Sequence, residues 1–267
     1  MPAASMHERA PGALVIGQLL ALQDDVSPRS ALARFFGRSP LPEVNQSWYL
    51  GAVGEVAVGN ILSRLPDGWT TFHALPVGTK ESDIDHIVVG PGGVFAINTK
   101  HHSGKPIWIA DRTFMVSGHK QPHLRNAEYD ADRVARLLGG RMPVPVRPMI
   151  VLVDPKSITI KKAPERVTVI EARRLVRWLM KRPVALAPDA VRELASVLAD
   201  PTTWRAAPAP ARDLIERFAS LDCEVRAARR LRRLWVLGFS AVAVVGLLAL
   251  LQFLPRLVLA ALGLAVP

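Results

Sequence analysis

Apolar positions along the chain fall into helical and extended periods. Over 46–65, Trp48, Val53, Val56, Val58, Ile61, Leu62 and Leu65 form a stripe at helical spacing, ended by Pro66-Asp67-Gly68, with Ser47 placed to cap its start. Alternating or continuous apolar runs then predict strands at 70–76, 83–89, 94–100 and 106–109, with turn residues at Gly78 and Gly90-Pro91-Gly92-Gly93. A helix follows at 122–138, strands at 146–153 and 167–170, and helices at 171–182, 188–198 and 212–233, with a Thr/Ala/Pro linker at 202–210. The pattern is α/β: strands and helices over 44–155, then a mostly helical extension over 156–233.

The pattern changes after that. Residues 234–254 carry no charge, and 21 residues of helix measure about 31 Å, enough to cross a bilayer core. Arg226, Arg229, Arg230, Arg232 and Arg233 precede this stretch, whereas Arg256 alone follows closely. The positive-inside rule then predicts a single-pass protein of the cell membrane with its large N-terminal part cytoplasmic, the arginines of 226–233 meeting anionic lipid. Residues 255–267 form a short apolar tail, too short to span by itself. At the other end, 12–22 is apolar, but Glu8 precedes it and no small-x-small cleavage site follows, so it fits an amphipathic helix or a mobile tail rather than a signal peptide. Residues 1–43 as a whole read as a poorly ordered leader.

Composition narrows the chemistry. The chain of 267 residues is 49% hydrophobic, which excludes a disordered protein. One cysteine, Cys223, excludes an internal disulfide framework, a cysteine zinc site and a CxxC redox centre. The net charge of +11 lies wholly in 141–267, and 44–140 is balanced at zero.

The densest chemical signal is SDIDHIVVGPGGVFAINTKHHSG, 82–104. If Gly90–Gly93 closes a hairpin with Val89 opposite Val94, Asp85 lies opposite Asn98 and Asp83 opposite Lys100. All four then project from one face, while Ile84, Val88, Phe95 and Ile97 occupy the other. Two carboxylates, an amide oxygen and an ammonium on one face suit a hard divalent cation, Mg²⁺ or Mn²⁺, beside a lysine that offsets charge developing on a phosphodiester. The same residues also fit an ordinary exposed ion pair with solvated neighbours.

In order and spacing, Gly51-x-x-Gly54-Glu55, Asp83-x-Asp85-His86, the Gly-Pro-Gly-Gly-Val turn and Ile97-Asn98-Thr99-Lys100 resemble the nuclease-related domain (NERD), a branch of the PD-(D/E)XK nuclease superfamily. The resemblance covers about 47–155. It implies a restriction-endonuclease-like mixed sheet and a Mg²⁺-dependent deoxyribonuclease. Asp85 and Asn98 would hold the metal, Lys100 would stand beside the attacking water, and Glu55 would reach the same site from its helix. One position departs from the superfamily pattern, which asks for Asp or Glu where this chain has Asn98. An amide keeps an oxygen donor and removes a charge, which weakens Mg²⁺ binding; Asp83, two residues from Asp85, is placed to supply it.

Around this core, His101, His102 and Gln121 are candidates for substrate contact, with His101 and His102 facing opposite ways along a strand. Over 122–138, Arg125, Glu128, Asp130, Asp132, Arg133 and Arg136 read as a solvated face with helix ion pairs. DNA is the implied partner. The competing function is a catalytically degenerate nuclease fold serving as a membrane-tethered nucleic-acid or protein interaction module, which Asn98 and the zero net charge of 44–140 favour.

Overall fold

The computed structural model describes residues 5–77, 82–139, 142–205, 211 and 213–261. It is a mixed α/β structure with two mixed sheets and a long C-terminal helix. The chain divides into one unit of residues 1–24 and 44–215 and another of 25–43 and 216–267.

In the first unit, α1 (Ala13–Asp24) packs on α3 (Gln46–Leu62). Residues 13–24, expected within a poorly ordered leader, thus form a helix whose Ile16 and Leu19 are fully buried. Helix α3 starts behind a 3-10 turn at Glu43–Asn45, and its cap residue is Asn45 rather than Ser47. The Asn45 amide is spent on Gln23 Oε1, 3.3 Å away.

Four strands follow: β1 (Thr70–Val77), β2 (Ser82–Gly90), β3 (Gly93–His101) and β4 (Pro106–Ala110). After β5 (Thr113–Val116) and β6 (His119–Gln121) come α4 (His123–Gly139), β7 (Val146–Val153), β8 (Ser157–Lys162) and β9 (Thr168–Glu171). One sheet runs β1-β2-β3-β7-β9, antiparallel up to β3 and parallel beyond it; the other runs β6-β5-β4-β8. The three strands absent from the sequence expectation, β5, β6 and β8, all belong to the second sheet, where β8 shows only one partly buried residue, Ile158, in six. Strands β6 and β8 thus bury too little to read, whereas β5, with Phe114 and Val116 buried, is only four residues long.

The larger sheet is covered on both faces, so its central strands are apolar throughout. Val88, Phe95, Ile97, Met149 and Val151 face α3 and the short helix α5 (Leu175–Met180). Ile87, Val89, Val94 and Ala96 face α4 and α6 (Pro188–Ala199). Each fully buried side chain of this size contributes about 1.5–3 kcal/mol. Trp204, expected in a linker, is buried and donates its indole N–H to the Leu198 carbonyl at 2.8 Å; 206–210 lie outside the described residues.

In the second unit, α2 (Ala31–Phe35) accompanies α7 (Leu214–Ala261), whose first two residues belong to the first unit. Helix α7 runs without interruption through the expected span and past Pro255. Among the described residues it is the one helix long and apolar enough to cross a membrane, and its apolar stretch is exposed.

Candidate functional site

The β2–β3 hairpin has two unlike ends. Near the turn the ladder is regular, with Val89 opposite Val94 and Gly90 opposite Gly93. The pairing stops at His86 and Ile97, so Asp85–Asn98 and Asp83–Lys100 are not the ladder pairs that the extrapolated register predicts. Strand β3 instead continues beside β7 as far as His101 and Val153. The strands separate, and side chains take over the hydrogen bonding: the Thr99 N–H donates to Asp85 Oδ2 at 2.6 Å.

Glu55 enters this opening from α3. Gly54 lets the helix lie close to β3, since a Cβ there would stand 3.0 Å from the His101 Cβ and 3.3 Å from the Thr99 Cγ2. Glu55 is consequently only 7% exposed. Burial, then Asp85 and Asp83, push its carboxyl well above the ordinary carboxylate range, with Lys100 pulling the other way. Burial also raises Asp85, which Lys100 and the Thr99 N–H oppose. Asp83 is pushed up to about 7 by burial and then by Asp85. Glu55, Asp83, Asp85 and Lys100 therefore share one electrostatic environment.

Two further charges enter from outside the motifs. The opposite charge that Asp83 meets is Arg9, a buried residue whose Nε donates to the Ala74 carbonyl at 2.8 Å. Asp130 on α4, expected on a solvated face, accepts a hydrogen bond at Oδ2 from Asn98 Nδ2 at 3.0 Å. Burial and Asp85 raise its carboxyl to about 6 against that bond and Lys100. On the same helix Asp132 pairs with Arg166, from outside the helix, at 2.6 Å, and Arg133 lies over the Tyr129 ring. The amphipathic period of α4 placed Asp130 near the apolar stripe of Ala127, Ala131 and Val134, which is the signal that could have found it.

The histidines divide. His101 donates from Nδ1 to the Leu50 carbonyl at 2.9 Å and lies under Gly54, so it holds α3 against β3 and faces away from Lys100. This removes it from the expected substrate contacts. His102, on the Lys100 side, has Nε2 3.3 Å from His123 Nε2, and the rings stack. Burial and then nearby lysines lower His102 to about 4; burial and then Lys100 lower His123 to about 3, so both are neutral at pH 7. Gln121 sits at the end of β6, opposite Phe114.

Among the described residues, no three His, Cys, Asp or Glu side chains are already drawn together as a metal-binding set. The donors nevertheless fit a hard cation in kind. Glu55 Oε2, Asp83 Oδ2 and Asn98 Oδ1 are buried oxygens without a hydrogen-bond partner, and such orphans are costly unless something occupies them. All are the oxygen donors that Mg²⁺ or Mn²⁺ takes. No curated protein and no solved structure matches the chain significantly. Residues 50–153 match the family model described as NERD, nuclease-related domain.

Proposed function

We propose that this chain, which carries a nuclease-related domain at residues 50–153, is a membrane-anchored, divalent-metal-dependent DNA phosphodiester hydrolase acting on the cytoplasmic side. Nuclease-like domains are generally dependent on a divalent metal, and the observation that carries the reading is the meeting of Glu55, Asp83, Asp85 and Lys100 where the hairpin opens.

Asp85, Glu55, Asp83 and the Asn98 amide oxygen would hold Mg²⁺ or Mn²⁺. When bound, the cation supplies positive charge for the phosphate oxygens and acidifies a bound water. The protein groups prepare the site around it. The Thr99 N–H fixes the Asp85 carboxylate in the opening. Lys100 favours the ionised forms of Glu55 and Asp85 and offers an ammonium to charge developing on the phosphate. His102, neutral and on the Lys100 side, would hydrogen-bond a phosphate oxygen, with Gln121 as a further candidate contact. Anchoring rests on the apolar stretch of α7, and sidedness on the arginines of 226–233, which would meet anionic lipid.

The test is Mg²⁺- and Mn²⁺-dependent cleavage of single-stranded and duplex DNA by the full chain in detergent micelles, with Asp85→Asn and Lys100→Ala alongside. Cleavage present in the parent and lost in both variants is the expected result. Absence of both cleavage and metal binding would favour the second reading, a degenerate fold acting as a membrane-tethered interaction module. Asn98 and the zero net charge of 44–140 support that alternative.

A further inference from the structure

The amide at position 98 is not alone: its Nδ2 is given to Asp130 Oδ2 at 3.0 Å, and its Oδ1 is buried with no partner. An asparagine held this way directs its amide N–H to Asp130 and keeps its carbonyl oxygen for another partner. Asp130 also interacts with Asp85 and Lys100, so it belongs electrostatically to the site although it comes from α4. Glu55, nine-tenths buried with Oε2 unpartnered, is an independent sign that the opening is built for a ligand. We infer that Asp130 is a functional member of the metal site, restoring from the helix the negative charge that Asn98 lacks on the strand. The pair Asn98–Asp130 then acts as one divided carboxylate: oxygen donor on β3, charge on α4. This rests on the metal-site reading above.

The experiment is an Mn²⁺ titration by electron paramagnetic resonance, with thermal melts, on the full chain in micelles. Parent, Asp130→Asn, the exchange Asn98→Asp/Asp130→Asn, and Asp85→Asn are compared. Asp130→Asn keeps a hydrogen-bonding side chain in place of the carboxylate. The expected result is Mn²⁺ affinity reduced at least tenfold in Asp130→Asn and recovered to within about threefold of the parent in the exchange variant, without a matching change in melting temperature. Unchanged affinity in Asp130→Asn, with Asp85→Asn impaired, overturns the role of Asp130 and leaves the metal site standing. An affinity loss that the exchange does not recover also overturns it. No Mn²⁺ binding by the parent overturns the metal-site reading and this inference together.

A separate observation concerns the second unit. Trp235, at the start of the uncharged stretch, donates its indole N–H to the Phe35 carbonyl at 2.7 Å. Its ring lies 5.0 Å from Phe35, 5.3 Å from Phe36 and 5.5 Å from Phe239. Gly37, at φ +68°, brings the loop so near α7 that a Cβ would fall 2.5 Å from the Arg232 backbone nitrogen. Arg29 ties the segment at both ends, to the Arg38 carbonyl and to Glu224, each at 2.7 Å. Despite this fixed backbone, Leu32 is 69% exposed and Phe35 55%. Apolar side chains presented beside an aromatic cluster and arginines, level with the first turn of a spanning stretch, match the chemistry of a membrane interface.

We propose that residues 31–36 form a second membrane contact, lying at the headgroup boundary of an anionic bilayer and setting the depth of α7. The proposal rests on α7 spanning the membrane. Single cysteines at Leu32→Cys and, at mid-span, Val244→Cys, each with Cys223→Ser, are labelled with a fluorophore in the full chain. The proteins are reconstituted into phosphatidylcholine/phosphatidylglycerol vesicles. Quenching of the Leu32 site by headgroup nitroxide and of the Val244 site by acyl-chain-end nitroxide is expected. A quenched Val244 site with an unquenched Leu32 site overturns the interfacial contact alone; no quenching at Val244 overturns the span and the contact with it.

Discussion

The two ends of the β2–β3 hairpin are built from the same strands and solve opposite problems. At the turn end the backbone groups satisfy one another and both faces are apolar: Val88 and Phe95 toward α3, Val89 and Val94 toward α4 and α6. At the far end the ladder is given up, Asp85 accepts a backbone N–H from Thr99, and Glu55, Asp83 and Asn98 keep unpartnered buried oxygens. Such an end is costly for a bare fold, because carboxylates that repel one another are held out of water. The first end is organised for stability; on the proposed metal-site reading, the second awaits a cation that neutralises it.

Four experiments would break or sharpen that contrast. The largest effect is expected at the paired end: Phe95→Ala, deep in the core, should cost about 3–5 kcal/mol, read by denaturant unfolding in micelles. Metal affinity of the folded fraction should barely change; equal damage to both would erase the distinction.

At the open end the dissociation should invert. Asp85→Asn retains an oxygen for the Thr99 N–H and loses the charge, so metal affinity and cleavage should fall about 100-fold or more while the melting temperature holds or rises. Asp85→Ala should add a stability loss of about 1–3 kcal/mol, because it leaves that N–H unpaired.

A smaller effect is a pH dependence. Asp83 titrates near 7 in the folded chain and about 3.9 unfolded. Between those values the folded state holds a proton that the unfolded state releases, so this residue's contribution to stability falls as pH rises. Asp83→Asn removes that loss. Its melting temperature relative to the parent should climb from pH 4 to about pH 7 and level off above. The buried histidines titrate oppositely below their ordinary range, but both proteins share them and they cancel in the difference. Saturating Mg²⁺ should shrink the difference at pH 8; a constant offset at all pH values would count against a strained carboxylate at Asp83.

The smallest effect is expected at Gly54→Ala. The added methyl would press on His101 and Thr99, moving α3 and Glu55 outward, at a cost of about 1 kcal/mol. A drop in metal affinity of severalfold should accompany it, and unchanged affinity would mean that Glu55 stands apart from the site.

Much of this protein is legible in its sequence because hydrophobic period is a local property. The strand at Val146–Val153 and the helix beginning at Gln46 follow from it; strict alternation counted from the turn does not carry to the start of β2, where Ile84, expected beside Val88, Phe95 and Ile97, packs instead with Ile87 and Val89. An uncharged stretch the length of a bilayer core is likewise visible without coordinates. Only the tertiary structure decided where the hairpin ladder ends, that Arg9 meets Asp83, and that Asp130 turns inward to Asn98. Those outcomes depend on which distant segment arrives beside a strand, and side-chain period says which way a residue points without saying what it will meet there.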